Sequence, residues 1–138
     1  MITTPGPARS AIEYCAVRVV PDLERGECLN VGVLLICRPT RFLDARIHLD
    51  TARLGVLWPS LIGEPLALIE AHLAIIGPIC AGDQATGGPI AALTLRERWH
   101  WLTAPSSTVV QPGPIHTGLT DDPAAELDRL FGRLVSRG

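Results

Sequence analysis

The sequence contains no lysine, and all twelve of its basic residues are arginine. This absence excludes Schiff-base chemistry, lysine general bases and the lysine of a phosphate-binding P-loop. Motifs such as G-x-S-x-G and H-E-x-x-H are absent as well, so no known catalytic pattern is present. The sequence therefore restricts the chemistry without suggesting a reaction.

Cysteine pairs with metal-ligand spacing are also missing. The four cysteines, Cys15, Cys28, Cys37 and Cys80, form no C-x-x-C and do not cluster with histidine. Zinc ligation therefore has no support in the sequence, and we expect neither a metal nor a cofactor. The cysteines are interpreted as small, buried apolar residues.

The composition indicates a single globular domain over residues 1–138, with 1–10 as a flexible N-terminal tail. The chain is 47% hydrophobic and carries a formal net charge of -2, which excludes a disordered chain and argues against nucleic acid as a partner. The N-terminus lacks a signal-peptide pattern, and the most apolar stretch, Leu73 to Gly82, is about half the ~20 residues of a membrane helix. We expect a cytoplasmic protein that does not enter a membrane.

The first half of the chain predicts three strands. Ile12 to Val20 and Leu29 to Cys37 are rich in β-branched and apolar residues, and the charged segment PDLERGE between them is typical of a hairpin loop. In FLDARIHLD, from Phe42, apolar and polar residues alternate, which indicates one dry and one wet face. We predict an α+β fold: an N-terminal antiparallel β-meander, part of a sheet of three to four strands, with the second strand central and one face packed against helices.

Helices are predicted in the rest of the chain. They cover Asp50 to Trp58, Glu64 to Ile76, Ala92 to Leu102, and a last segment that begins with Asp122 as N-cap and Pro123 at N1. The second of these is apolar almost all round, which predicts deep burial. Between it and the third helix, GDQATGGP is predicted to be a flexible loop. A fourth strand is predicted at Ser107 to Gln111.

Two unusual residues begin the central strand. Asn30 is the only asparagine in the chain, and Gly32 follows it, although both residue types are disfavoured in strands. One interpretation is a β-bulge in which Asn30 ties down the charged loop. The other is a polar ligand site at this end of the sheet, with Arg25 and Glu27 close by.

A proline-rich polar connector, residues 103–123, joins two predicted helices. Ser107, Gln111, His116 and Thr117 offer donors and acceptors that could hold an anion or a peptide, or could satisfy the irregular backbone of the connector itself. His116 is the main candidate for proton transfer, because histidine changes charge near neutral pH. Just before the connector, in RERWHW, Trp99 and Trp101 would point about 200° apart on a helix, which predicts one tryptophan in the core and one at a rim.

Two long motifs support a family assignment. YCAVRVVPDLERGECLNVGVLL near the start and ERWHWLTAPSSTVVQPGPIHTGLTDDP near the end resemble the bacterial family known only as domain of unknown function 3037. The resemblance spans most of the chain. It implies that the gene often lies beside one for a HipA-like kinase-related protein, and hence that this protein is a partner or regulator of such a protein. It implies no catalytic residue.

Two hypotheses about function remain open. The first is a non-enzymatic accessory domain that binds another protein, which the missing catalytic motifs favour. The second is a small enzyme or sensor for an anionic ligand. Its site would be formed by the connector and the loop that contains Arg25, Gly26 and Glu27, which we call the RGE loop. In this hypothesis, Arg25 and Arg98 bind charge, and Glu27 or His116 transfers protons. Asn30, Ser107, Gln111 and Thr117 would orient the ligand. In a third interpretation the two segments merely stabilise each other.

Overall fold

The computed structural model describes residues 8–136 as an antiparallel sheet flanked by helices. The strands are β1 (Ser10–Val19), β2 (Leu29–Cys37), β3 (Phe42–Ile47), β4 (Val110–Pro112) and β5 (His116–Thr120). The helices are α1 (Thr51–Leu57), α2 (Glu64–Ala74), α3 (Ile76–Ala81), α4 (Gln84–Gly87), α5 (Leu95–Thr103) and α6 (Pro123–Phe131). A 3₁₀ turn covers Pro89–Ala92, and a π-helical turn covers Gly132–Ser136.

The sheet has the order β3-β2-β1, and β4 and β5 both pair with the free edge of β1. The predicted meander with β2 in the middle is confirmed, and so is the α+β class. The predicted fourth strand corresponds to β4, but β5 brings the sheet to five strands, one more than the expected maximum. The sequence HTGLT does not indicate a strand by itself, because a central glycine is unfavourable there. Pairing with β1 stabilises this strand, which its own sequence does not favour.

Helices cover both faces of the sheet, not the one face that we predicted. Alternate side chains of β1 and β2 enter two separate cores. The larger core contains Val17, Leu34 and Ile79 and is covered by α1, α2, α3 and α5, whereas the smaller contains Leu35 and Leu127 and is covered by α6. β2 is buried on both faces, which explains its almost unbroken apolar run.

A β-bulge lies at the start of β2. Val17 faces Gly32 and Arg18 faces Asn30, so Val31 is the extra residue. A Cβ atom on Gly32 would lie 2.4 Å from Cδ1 of Ile47 and 2.8 Å from the carbonyl oxygen of Arg46. Glycine is therefore required here by the close approach of β3, and the predicted bulge is confirmed.

The first and last helices both begin with an aspartate cap, and that of the last helix was predicted. The side chain of Asp50 accepts a hydrogen bond from the backbone N–H of Arg53 and begins α1, and Asp122 begins α6 through Ala125 in the same way. α5 begins at Leu95 instead of Ala92, because Thr94 and Glu97 form a capping box. The predicted flexible loop at 82–89 contains the short helix α4.

The prediction of deep burial for the second helix was wrong. α2 buries only Ile69 and Leu73, and Leu68 is 64% exposed. α2 and α3 together make Glu64–Ala81 the one helical stretch in the described part of the chain that is long and apolar enough to cross a membrane. A helix at the surface of a domain core passes the same test of length and composition.

The cysteines and tryptophans divide between core and surface. Cys15, Cys37 and Cys80 are buried, whereas Cys28 is exposed, which corrects the expectation of burial for that residue. Cys28 lies in the charged hairpin loop, where no core side chains are available to cover it. Trp99 is buried and Trp101 is 43% exposed, as predicted. Of the predicted tail, residues 1–7 lie outside the described residues, and Ser10 already belongs to β1.

Candidate functional site

The RGE loop is an exposed turn that is stabilised by its own residues. The side chain of Asp22 accepts hydrogen bonds from the backbone N–H groups of Glu24 and Arg25, at 3.1 and 3.3 Å. Gly26 has a φ of 71°, which glycine adopts without strain. The guanidinium of Arg25 pairs with the carboxylate of Glu27. Both predicted site residues of this loop therefore contact each other.

The first part of the connector lies at the same end of the sheet as the RGE loop. Val19, the last residue of β1, pairs with Leu29 on one side and with Val110 on the other. The backbone N–H of Val20 also donates to the carbonyl oxygen of Val109 at 2.6 Å. Val109 and Val110 thus lie beside the end of β1, close to the strand ends that flank the RGE loop.

The polar side chains of this part of the connector mainly bond to the connector itself. The hydroxyl of Thr108 donates to the carbonyl oxygen of Val110 at 2.7 Å, and the amide of Gln111 donates to that of Thr108 at 2.8 Å. Ser106 and Thr108 bond through their hydroxyls, while Ser107 is exposed. These bonds order an irregular segment, the structural role expected of hydroxyl residues.

Asn30 stabilises the C-terminal turn instead of the charged loop. Its side-chain amide donates to the carbonyl oxygen of Leu134 at 3.2 Å. The same residue lines a polar pocket of about 400 Å³ together with His48, Asp50 and Arg53. The interpretation in which Asn30 ties down the RGE loop is therefore not what the structure shows.

Arg98 uses its guanidinium to join α5 to the end of α3. It donates to the carbonyl oxygens of Ile79 and Cys80, at 2.9 and 2.6 Å, and to that of Leu93 at 3.0 Å. These carbonyls lie at a helix end and before a helix start, where backbone groups lack helical partners. Arg98 is thus occupied by backbone acceptors.

His116 and Thr117 lie on β5, which pairs with the part of β1 that is far from the RGE loop. His116 pairs with Tyr14 and Thr117 with Glu13, whereas Val110 pairs with Val19. The five-residue separation between Tyr14 and Val19 corresponds to roughly 16 Å along a strand. The structure therefore does not bring His116 and Glu27 to one ligand, and the site predicted from the sequence is divided between two ends of the sheet.

An apolar cleft that sequence reasoning missed opens beside the connector. It occupies about 420 Å³ between α2 and the residues leading into β4. An adjoining cavity of about 180 Å³ shares His72, Thr108 and Val110 with it and extends to Trp101. We call both together the α2–connector cleft. Its apolar walls are formed by Leu61, Pro65, Leu68, Ile69, Val109, Ile76 and Trp101.

The cleft has little charge. Burial lowers the pKa of His72, which favours the neutral imidazole in the cleft wall. Glu64 is the one acidic side chain that lines the cleft. No group of three or more histidine, cysteine or acidic residues that could hold a metal ion occurs within residues 8–136. The cleft therefore suits an apolar binding partner.

The fold defines a small α+β domain with an exposed apolar helix. Comparison with known families assigns the domain to a family. The family model described as "Protein of unknown function (DUF3037)" matches residues 14–135. The chain belongs to this family. No curated protein and no solved structure matches the chain.

The signal for the cleft was present in the sequence but was interpreted differently. Glu64 to Ile76 is apolar on nearly every side, which is compatible either with a fully buried helix or with a helix that faces a partner. The distinction requires knowledge of what surrounds α2. Only the tertiary structure shows that nothing within residues 8–136 covers Leu68.

Proposed function

We propose that this protein is a non-enzymatic accessory domain that binds another protein through the α2–connector cleft. The observation that supports this most directly is the exposure of large apolar side chains along 56–68. Val56, Leu57, Ile62 and Leu68 are between 50% and 81% exposed. Leu68 lines the cleft itself, and large exposed apolar side chains are typical of a protein interface.

The shape of the cleft specifies the type of partner. One wall is the helix α2, and the other is the connector, whose backbone is ordered by Thr108 and Gln111. A helix or an extended segment with large apolar side chains would fit between these walls. Trp101, at the rim, offers an amphipathic ring of the kind that is enriched at interfaces.

The resemblance to the family suggests a specific partner, a HipA-like kinase-related protein in the bacterial cytoplasm. An accessory domain of this kind needs no catalytic group of its own. This agrees with the local hydrogen bonds that occupy Arg25, Arg98 and Gln111. Binding would bury Leu68 and place Trp101 at the edge of the interface.

The test is a binding titration with a purified HipA-like kinase-related protein from the same organism. Isothermal calorimetry compares the wild type with Leu68→Asp and with Leu119→Asp. Leu119 is a matched control, because it is 62% exposed but lies on β5, outside the cleft. We expect Leu68→Asp to weaken binding at least tenfold and Leu119→Asp to leave it unchanged. Equal effects of the two substitutions, or no complex with the wild type, would contradict the proposal.

A lipid surface is the alternative occupant of an exposed apolar helix. Sedimentation with phosphatidylglycerol and phosphatidylcholine vesicles tests it directly. We expect no sedimentation of the wild type. Sedimentation that Leu68→Asp abolishes would assign the cleft to a membrane surface and overturn the assignment to a protein partner.

A further inference from the structure

A second concave site lies on the opposite face of the sheet, beneath α6. It is a pocket of about 230 Å³ lined by Tyr14, His116, Arg129, Leu130, Arg133 and Leu134. Tyr14 and His116 are directly paired on β1 and β5, and their ring centroids lie 5.4 Å apart with an angle of 32° between the planes. Two strands, α6 and the π-helical turn therefore bring these six side chains together from distant parts of the sequence.

The charge of this pocket is positive. Arg129 lies on α6 and Arg133 on the π-helical turn that follows it, and their like charges repel each other. Glu126 bonds to Nε of Arg129 at 2.5 Å but does not line the pocket, and Arg133 forms no ion pair within residues 8–136. A bound anion would offset this repulsion. The local excess contrasts with the net charge of -2 for the whole chain.

The polar groups of the pocket suit a phosphate oxygen. Two guanidinium groups, a phenol hydroxyl and an imidazole N–H can all donate hydrogen bonds. No carboxylate lines the pocket, and Glu126, outside it, accepts from Nε of Arg129. Arginine binds phosphate in a bidentate manner, with charge-assisted hydrogen bonds. These features distinguish the pocket from the polar pocket around Asn30, which Asp50 lines.

The size and floor of the pocket indicate that the anion carries an organic group. A water molecule occupies about 30 Å³ in the liquid, so 230 Å³ leaves room for several heavy atoms beyond a phosphate. Leu130 and Leu134 form an apolar floor, and the ring of Tyr14 provides a surface for stacking. An aromatic or apolar body would contact these groups while the phosphate faces the arginines.

We propose that Tyr14, His116, Arg129 and Arg133 form a binding site for the phosphate group of a small organic phosphomonoester. The site is independent of the proposed protein interface, since it lies on the α6 face and the α2–connector cleft lies on the other. It also places His116 in a binding role that involves neither Glu27 nor Arg98.

The experiment is an NMR titration of the full chain, uniformly labelled with ¹⁵N, at constant ionic strength maintained with chloride. The probes are inorganic phosphate and phenyl phosphate. We expect saturable shifts of the backbone signals of Tyr14, His116, Arg129 and Arg133, with tighter binding of phenyl phosphate. Shifts that do not saturate, or that spread over all arginines, would overturn the proposal. Equal binding of the two probes would support the phosphate site but contradict the inference that the ligand carries an organic group.

Variants decide whether the named side chains bind the probe. Arg133→Gln should weaken binding of phenyl phosphate about tenfold, the effect of losing a charge-assisted hydrogen bond. Arg96→Gln is the matched control, because Arg96 is an exposed arginine on α5. The affinity of this variant for phenyl phosphate should equal that of the wild type. If Arg133→Gln fails to fold, His116→Gln replaces it with the same expected direction. Unchanged affinity in the folded variant would overturn the assignment.

A phosphate can also be presented by a protein. A phosphoserine peptide therefore serves as a third probe in the same titration. We expect it to bind more weakly than phenyl phosphate, because the apolar floor and Tyr14 favour a compact aromatic body. Substantially tighter binding of the peptide would assign the site to a phosphorylated protein and overturn the small-molecule ligand.

Discussion

Asn30 donates a hydrogen bond from its side-chain amide to the backbone carbonyl oxygen of Leu134, which lies 104 residues later in the chain. The bond joins the start of the central strand to the C-terminal π-helical turn. That turn carries Arg133 and Leu134, which line the pocket beneath α6. The single asparagine of the sequence thus positions one wall of a candidate binding site from the far end of the chain.

Asn30→Ala should lower the free energy of unfolding by about 1 kcal/mol, because the partly buried carbonyl of Leu134 loses its donor. Urea denaturation provides the measurement. Gln111→Ala is the control, since its amide bonds only to Thr108 within the exposed connector, and it should cost less than about 0.5 kcal/mol. Similar losses in both variants would show that the long-range bond contributes little.

Gly32→Ala should lower the free energy of unfolding by about 1–3 kcal/mol. The new Cβ atom would meet Ile47 and the backbone of Arg46 below normal contact distance, and the backbone cannot yield without moving β3. Gly55→Ala is the matched control within α1, where nothing lies within 4 Å of the new atom. This control should gain up to about 1 kcal/mol from higher helix propensity. Thermal unfolding compares the two variants, and a stable Gly32→Ala would contradict the close approach of β2 and β3.

Arg98→Ala should lower the free energy of unfolding by about 2 kcal/mol. The change leaves the carbonyl oxygens of Ile79 and Cys80 without the guanidinium that bonds them at the end of α3. Arg96→Ala removes an exposed arginine from the same helix and should change stability by no more than about 0.5 kcal/mol. Urea denaturation of both variants tests the difference. An equal effect of the two would mean that Arg98 is free to act elsewhere.

Stability should fall steeply at alkaline pH because of two buried thiols. Burial raises the pKa of Cys15 and of Cys80 to about 12 from an ordinary value of 9.0. Above pH 9 the unfolded chain loses these protons while the folded chain keeps them. The stabilisation is therefore complete below pH 9 and is lost between pH 9 and 12. With one proton from each thiol, the free energy of unfolding falls by up to about 2.7 kcal/mol per pH unit.

Urea denaturation between pH 8 and 11 measures this slope. Because the chain has no lysine, few other groups lose protons in this range. Cys80→Ala should reduce the slope by about half. Cys28→Ala is the control, since the exposed thiol lies outside the core, and its slope should equal that of the wild type. A slope that Cys80→Ala leaves unchanged would contradict the role of the buried thiol.

Local patterns predicted the elements in which each face meets the same environment along its whole length. β3 alternates between a dry and a wet face, and α6 begins with an aspartate cap and a proline, so the start of each was predicted correctly. β5 was missed because its sequence is poor for a strand, and its pairing depends on β1, about 100 residues earlier in the chain. Such long-range pairing leaves no local pattern.

The candidate sites show the same limit. The sequence indicated that Asn30, Arg98 and His116 have special roles, but residue type alone does not show which partner each one contacts. Arg98 bonds to backbone oxygens, and His116 joins Tyr14, Arg129 and Arg133 instead of the RGE loop. Hydrogen-bond partners depend on which elements meet in three dimensions.

Residue patterns alone were sufficient to predict the α+β class, the central position of β2 and the family, and they offered the bulge near Gly32 as one of two interpretations. These properties follow from hydrophobic periodicity, turn chemistry and two long motifs, all of which are local in the chain. Three properties became visible only in three dimensions: helices cover both faces, α2 remains exposed, and the predicted site is divided along β1. These properties depend on strand order and helix packing, which bring together residues that are distant in the sequence.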